Sequence, residues 1–226
     1  MLRFERQCWK NGLTRVAGVD EVGRGPLAGP VMAAAAVFDF YFLEAEEHGM
    51  LEGLTDSKKL TESRREHFFN ILSASPFVKI GVGYADVAEI DSVNILNATH
   101  MAMIRAVEKL PCSPDHILVD GLPVKGFPCP STSIIGGDGK SISIAAASVV
   151  AKVLRDRVMK DLDLEYPEYG FAKHKGYGSR MHMQALLEHG PSSVHRMSFR
   201  PVRESAAIRK IEKCQQEYRN EQSELF

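Results

Sequence analysis

The sequence predicts an α/β domain: a mixed central sheet flanked by helices, with a C-terminal helical extension. Three observations carry that prediction. Short apolar segments of strand character dominate the first half, helical spacing recurs between and after them, and the strongest helical pattern comes late, over residues 143–166. With 226 residues, 44% of them hydrophobic, the chain has enough apolar material for a sizeable core.

In order, residues 14–20 read as a short strand. Residues 31–38 form a continuous run of small apolar side chains, the mark of a strand buried on both faces. Residues 61–66 open a helix with Thr61 as its N-cap. Residues 77–84 alternate, as a strand pairing beside 31–38 would. Residues 94–110 are helical by spacing, with Ile95, Met101, Ile104 and Val107 near one face. Residues 116–120 are a short apolar strand ending in an acid, set among loops punctuated by Pro111, Pro114, Pro123, Pro128 and Pro130. The helix over 143–166 carries the stripe Val149, Val150, Val153, Leu154, Met159 and Leu162, with Lys152, Arg155, Arg157 and Lys160 elsewhere. Residues 180–189 form a further short helix and 204–218 a charged one. The division expected is a catalytic domain over 1–200 and a helical extension with a polar tail over 201–226.

Composition excludes several classes. Cys8, Cys112, Cys129 and Cys214 are scattered with no C-x-x-C pair, which argues against a zinc site or a disulfide framework and fits a reducing compartment. The first six residues hold no apolar signal core, and the run over 31–38 is too short to span a bilayer, so a cytoplasmic location without membrane contact is expected. Nothing calls for an obligate interface, and a monomer is expected. Net charge is −1, unevenly spread: residues 140–213 hold 14 Lys and Arg against 8 Asp and Glu, and the remainder 14 against 21. A basic face of this kind suits a phosphate backbone.

The chemistry concentrates in Ala17-Gly18-Val19-Asp20-Glu21-Val22-Gly23-Arg24-Gly25-Pro26, where an apolar run ends in two adjacent carboxylates and a Gly-Arg-Gly turn. Paired acids at a strand end are costly to bury unless a cation or a proton neutralises them. Asp20 and Asp120 each end an apolar strand, so neighbouring strands would bring both carboxylates to one sheet edge. Oxygen donors without His or Cys suit Mg²⁺ or Mn²⁺ rather than zinc. Adjacent strand residues point to opposite faces, so Glu21 can join Asp20 only if the strand ends or bends there, and Gly23-Arg24-Gly25 supplies a break. Asp138, within Gly136-Gly137-Asp138-Gly139-Lys140, reads on its own as a turn residue. Two superficial motifs fail: Gly139-Lys140-Ser141 has Ile134 where a phosphate-binding loop needs glycine, and Gly23-x-Gly25-x-x-x-Gly29 is one residue too long for a dinucleotide fingerprint.

Residues 18–31 resemble the opening signature of the ribonuclease HII family. Four further blocks follow in matching order: Asp56-Ser57-Lys58-Lys59-Leu60, Val119-Asp120-Gly121, Gly137-Asp138 leading into residues 143–153, and His174-Lys175-Gly176-Tyr177-Gly178. The resemblance covers roughly residues 12–200 and implies a ribonuclease H-like fold. It implies that Asp20, Glu21, Asp120 and Asp138 hold two divalent ions, Mn²⁺ or Mg²⁺, for hydrolysis of RNA in RNA–DNA hybrids. It extends the activity to duplex DNA carrying single ribonucleotides, cut on the 5′ side to leave 3′-hydroxyl and 5′-phosphate ends. The backbone of Gly23, Arg24 and Gly25 would read the 2′-hydroxyl, a sensible use of glycine because the main chain can approach a sugar closely. Tyr177 would stack on the next deoxyribose. Lys58, Lys59, Lys152, His174 and Lys175 are candidate phosphate contacts, whereas Ser143 and Ser148 read as helix capping and packing. The tail Gln222-Ser223-Glu224-Leu225-Phe226 resembles peptides that dock on bacterial sliding clamps. The residues alone leave two alternatives: another carboxylate-metal nuclease of the same fold, or a non-catalytic nucleic-acid-binding domain.

Overall fold

The structure, a computed structural model, describes residues 1–211. The end of the helix expected over 204–218, Cys214 and the tail from Gln222 to Phe226 lie outside the described residues. Contacts divide the chain into two compact units. The first comprises residues 1–24, 30–85 and 95–155, and the second 25–29, 86–94 and 156 onward.

The first unit holds a five-stranded sheet. Its strands are β1 (Val16–Val22), β2 (Val31–Phe38), β3 (Val78–Ala85), β4 (His116–Asp120) and β5 (Ser131–Ile134), in the order β3-β2-β1-β4-β5. β1–β2 and β2–β3 are antiparallel, while β1–β4 and β4–β5 are parallel. The sheet is therefore mixed, and the chain places β2 and β3 to one side of β1 and β4 and β5 to the other, a reversal of strand order of the kind at which open α/β sheets place their sites.

The helices are α1 (Arg3–Lys10), α2 (Phe40–Glu46), α3 (Glu62–Ala74), α4 (Val87–Glu108), α5 (Ile142–Glu165), α6 (Phe171–His174) and α7 (Arg180–His189). A further helix begins at residue 200 and continues to residue 211. Thr61 caps α3 as expected, its side chain accepting from the Arg64 N–H. β2 is buried at every position, as its unbroken apolar run requires. Its Ala34, Ala36 and Phe38 pack with Ala145, Ala146, Val149 and Val153 of α5 and with Phe68 and Leu72 of α3.

Three differences from the sequence reading stand out. The helix expected from residue 94 is present after Asn94, whose φ of 68° breaks α4, and the helical stretch from Val87 that precedes the break is an addition to the sequence reading. β5 went unread: its first three residues are exposed and polar, so no alternation marks it. α1 was also missed, since its inward face carries a charge. Glu5 is fully buried and accepts from Ser141 Oγ at 2.6 Å and Ser143 N–H at 3.0 Å, tying α1 to the start of α5.

The second unit has its own apolar cluster, in which Leu27 and Ala28 pack with Met159, Tyr169, Phe171, Ala185, Leu186 and Val202. Among the described residues, no helix is long and apolar enough to cross a membrane.

Candidate active site

Two parallel strands reach the same edge of the sheet. The β1–β4 register runs up to Val19↔Val119, so Asp20 and Asp120 each stand one residue beyond the last pair. Alternation along β1 puts position 20 on the same face as Gly18. α5 closes on that face so tightly that a Cβ on Gly18 would lie 2.0 Å from the Ser143 carbonyl carbon. The approach lets Ser148, on the second turn of α5, hydrogen-bond the Asp20 carboxylate. Ser148 also shares a buried 2.9 Å hydrogen bond with Ser57, which ties the loop carrying Lys58 and Lys59 to the same spot. Ser148 is thus more than the packing residue the sequence suggested.

β1 does not stop at Asp20 as expected. It stays paired with β2 through Val22↔Met32, and the break comes at Gly23, at φ 94°. A Cβ there would fall 2.2 Å from Arg155 Nε, so the turn demands glycine on both counts. Glu21 lies past the end of the β4 pairing, and its charge is close enough to act on Asp20. Its side chain is 16% exposed, and its Oε1 lies 3.5 Å from Arg24 Nη1.

The electrostatics bind the acids into one group. Asp20 is 5% exposed, and burial drives its carboxyl well above the usual range, with the charges of Glu21 and Asp120 adding to the shift and Ser148 opposing it. Burial raises Glu21 too, against the attraction of Arg24, and Asp120 raises it further. Asp138 is raised by its own burial, then by Asp56 and Asp120, while Lys58 pulls it down. Asp120 Oδ1 accepts the Gly137 N–H at 2.6 Å, which docks the turn bearing Asp138 against the end of β4.

Asp56 is the acid that sequence reasoning passed over. Its carboxyl hydrogen-bonds that of Asp138, and it also accepts the Lys58 N–H at 2.9 Å. The signal was its place in the same block as Lys58 and Lys59.

Among the described residues, no three His, Cys, Asp or Glu side chains are clustered tightly enough to hold a metal ion by themselves. The donor set still fits a hard divalent cation. Mg²⁺ keeps several waters and is held by one or two carboxylates plus substrate oxygens rather than by an all-protein cage. Asp20, Glu21 and Asp138 stay raised even with Arg24 and Lys58 nearby, and a divalent ion would offset the remaining repulsion.

Lys58 faces both Glu21 and Asp138. Lys59 Nζ reaches to 3.8 Å from where a Cβ on Gly139 would sit. Lys152 lies one turn beyond Ser148 on α5 and is partly buried.

The second unit carries Gly25 and Tyr177 together. A Cβ on Gly25 would be 3.4 Å from Tyr177 Cε1, and the tyrosine is 45% exposed. The segment 25–29 beside Tyr177 is pinned by Arg196, which is fully buried and donates to the carbonyls of Pro26 at 2.8 Å and Gly29 at 2.8–2.9 Å. His174, expected as a phosphate contact, has both ring nitrogens committed to the scaffold instead. Nε2 donates to the Tyr169 carbonyl at 2.8 Å and Nδ1 accepts the Gly176 N–H at 3.2 Å. Lys175 Nζ donates to the Ala172 carbonyl.

A family model described as Ribonuclease HII matches residues 17–202. Ribonuclease HII of Desulfitobacterium hafniense is 51% identical over 208 residues, spanning 92% of this chain and 77% of that protein. Among solved structures, ribonuclease H2 of Pyrococcus horikoshii OT3 superposes with a TM-score of 0.69 at 28% identity, over 85% of this chain and 97% of that one. The ribonuclease HII of Archaeoglobus fulgidus, solved in complex with PCNA, matches at a TM-score of 0.62 and 23% identity, over 82% and 95%. With the fold and the match agreeing along most of the chain, the chain belongs to the ribonuclease HII family, metal-dependent endoribonucleases that cleave RNA in RNA–DNA hybrids.

Proposed function

We propose that this enzyme cuts duplex DNA on the 5′ side of an embedded ribonucleotide, with Asp20, Glu21, Asp120 and Asp138 holding two divalent ions. When bound, Mg²⁺ or Mn²⁺ would activate the attacking water and stabilise the leaving oxygen. Water oxygen bonds to phosphorus, the P–O3′ bond of the preceding deoxynucleotide breaks, and the products carry a 3′-hydroxyl and a 5′-phosphate. Asp20 and Asp120 act as the central donors. Ser148 fixes the Asp20 carboxylate, and the Gly137 N–H fixes that of Asp120. Lys58, Lys59 and Lys152 attract the phosphate backbone, and Lys175 adds to that charge beside Tyr177.

The observation that carries this reading is that the Gly23-Arg24-Gly25 turn, where β1 breaks, follows directly on Asp20, Glu21 and Val22 at the strand's end. A glycine turn of this kind lets a sugar approach the main chain closely enough for its 2′-hydroxyl, the group that separates ribose from deoxyribose, to be read. Tyr177, standing over Gly25 with an exposed ring, stacks on the deoxyribose that follows. Residues 1–200 form the catalytic part in this reading and 201–226 an extension. The archaeal relative solved with PCNA supports a clamp-docking role for the tail ending Leu225-Phe226, and a pull-down with residues 222–226 deleted should lose the clamp.

The test is end-labelled duplex DNA with one ribonucleotide, beside an all-DNA control, in Mg²⁺, Mn²⁺ or EDTA. A metal-dependent cut immediately 5′ of the ribonucleotide, absent from the control, is expected. Cleavage of a long hybrid without that cut would remove the roles given to Gly23, Arg24, Gly25 and Tyr177.

A further inference from the structure

We propose that His182, locked in one tautomer by His195, is a positioning residue that sets Tyr177 for the sugar on the 3′ side of the ribonucleotide. The inference rests on the stacking role given to Tyr177 above.

A directional chain of hydrogen bonds carries it. The Tyr177 carbonyl can only accept, so His182 Nδ1, 3.0 Å away, bears the proton. His182 Nε2 must then accept, and its partner at 2.9 Å is Nε2 of His195, which therefore carries its own proton there. That leaves His195 Nδ1 as an acceptor, and it faces two donors, Ser192 N–H at 3.0 Å and Ser192 Oγ at 2.8 Å. Every nitrogen of the pair has one role, and reversing either ring would set two donors or two acceptors against each other.

The surroundings hold the rings in place. His182 and His195 are 0% and 1% exposed. His174 stacks on His182 with centroids 4.6 Å apart and planes 11° from parallel, and Phe171 meets His182 edge-on at 5.4 Å. Burial lowers His182 to about 4 and His195 to about 3, which keeps both neutral, as the chain of bonds requires. Packing alone would be better served by apolar side chains, since a buried polar group is costly unless its bonds are met. The bonds here end on one atom of functional interest. The Tyr177 carbonyl also accepts the Ser179 N–H at 2.7 Å, and the Tyr177 N–H donates to the His174 carbonyl at 2.9 Å. The ring is thus open to solvent on a backbone held from both sides.

Steady-state incision of a duplex with one ribonucleotide, by the wild type and by Tyr177→Ala, His182→Phe and His182→Asn, tests this. Asparagine can place an amide N–H near the Nδ1 position, whereas phenylalanine keeps the ring and removes the donor. His182→Phe should raise KM about tenfold, as loss of one positioned hydrogen bond implies. Its kcat should stay within about twofold of wild type, because the carboxylates are untouched. His182→Asn should restore most of the KM. If Tyr177→Ala leaves KM unchanged, the stacking role falls and this proposal with it. If Tyr177→Ala raises KM but folded His182→Phe does not, the proposal alone is overturned. A fall in kcat at unchanged KM, in step with the folded fraction, would also overturn it, because that is the mark of a purely structural residue. Should His182→Phe not fold, imidazole ¹⁵N shifts of the wild type decide: Nδ1–H on His182 and Nε2–H on His195 are expected, and the opposite tautomers refute the chain.

Discussion

Asp20 sits in a strained electrostatic position by the standards of a carboxylate. It is buried, it has Glu21 and Asp120 for neighbours, and its carboxyl is held well above the usual range. A raised acid keeps its proton in the folded state at a pH where the unfolded chain has lost it. Its contribution is therefore fully present below the unfolded value near 3.8 and is lost as pH rises through the folded one. At neutral pH the ion-free site works against folding. Asp20→Asn removes one charge and keeps an acceptor for the Glu21 N–H, so it should raise the melting temperature in EDTA by a few degrees, as about 1 kcal/mol would. Millimolar Mg²⁺ or Mn²⁺ should raise that of the wild type, and raise that of the variant less. Differential scanning fluorimetry with and without metal reads both. Equal metal responses would argue that Asp20 is no ligand. The acids themselves were legible in the sequence, because Asp20 and Asp120 each close an apolar run. Asp56 and Ser148 were not, since their parts depend on which loop and which helix turn fold against them.

At the level of elements, the site depends on how closely α5 lies on β1. A methyl group on Gly18 would lie 2.0–2.3 Å from backbone atoms of Ser143 and Ile144, so α5 or β1 would have to shift to admit it. Gly18→Ala should cost about 3 kcal/mol or more through overpacking, and should lower kcat by separating Asp20 from Ser148. Urea unfolding with parallel incision assays checks this. A cost below about 1 kcal/mol would mean that α5 retreats easily. β2, α3 and α5 were readable because local signals agreed: an unbroken alanine run, a Thr61 cap, a clear periodic stripe. β5 and α1 were hidden for the opposite reason, one being a short polar edge strand and the other turning the charged Glu5 inward to meet α5. The full reach of β1 was also hidden, since its last residues pair with β2 alone, and no pattern along a single strand reports when its second neighbour drops away.

For the molecule as a whole, stability should depend on acid through the buried imidazoles. His182 and His195 are held at about 4 and about 3, below the ordinary 6.5. Between those values and 6.5 the unfolded chain binds protons that the folded one excludes, so stability falls as pH falls through this window. Each imidazole contributes about 1.4 kcal/mol per pH unit to that slope. Urea midpoints at pH 6.0 and 5.0 should therefore drop more steeply for the wild type than for His182→Asn. Parallel slopes would place the histidines' proton uptake elsewhere. The net charge of −1 concealed a chain suited to a polyanion, and only the concentration of Lys and Arg after residue 140 made that visible.

The central claim is that the carboxylates at the ends of β1 and β4 hold the metal for phosphodiester hydrolysis. The most direct measurement compares Asp120→Asn with the wild type in two assays: binding of a duplex containing one ribonucleotide, and single-turnover incision of it in Mg²⁺. The variant should fold, since Asn keeps the oxygen that accepts the Gly137 N–H, and should bind the duplex within about threefold of wild type while its incision rate falls about a thousandfold. Incision near the wild-type rate by the folded, duplex-bound variant would contradict the account.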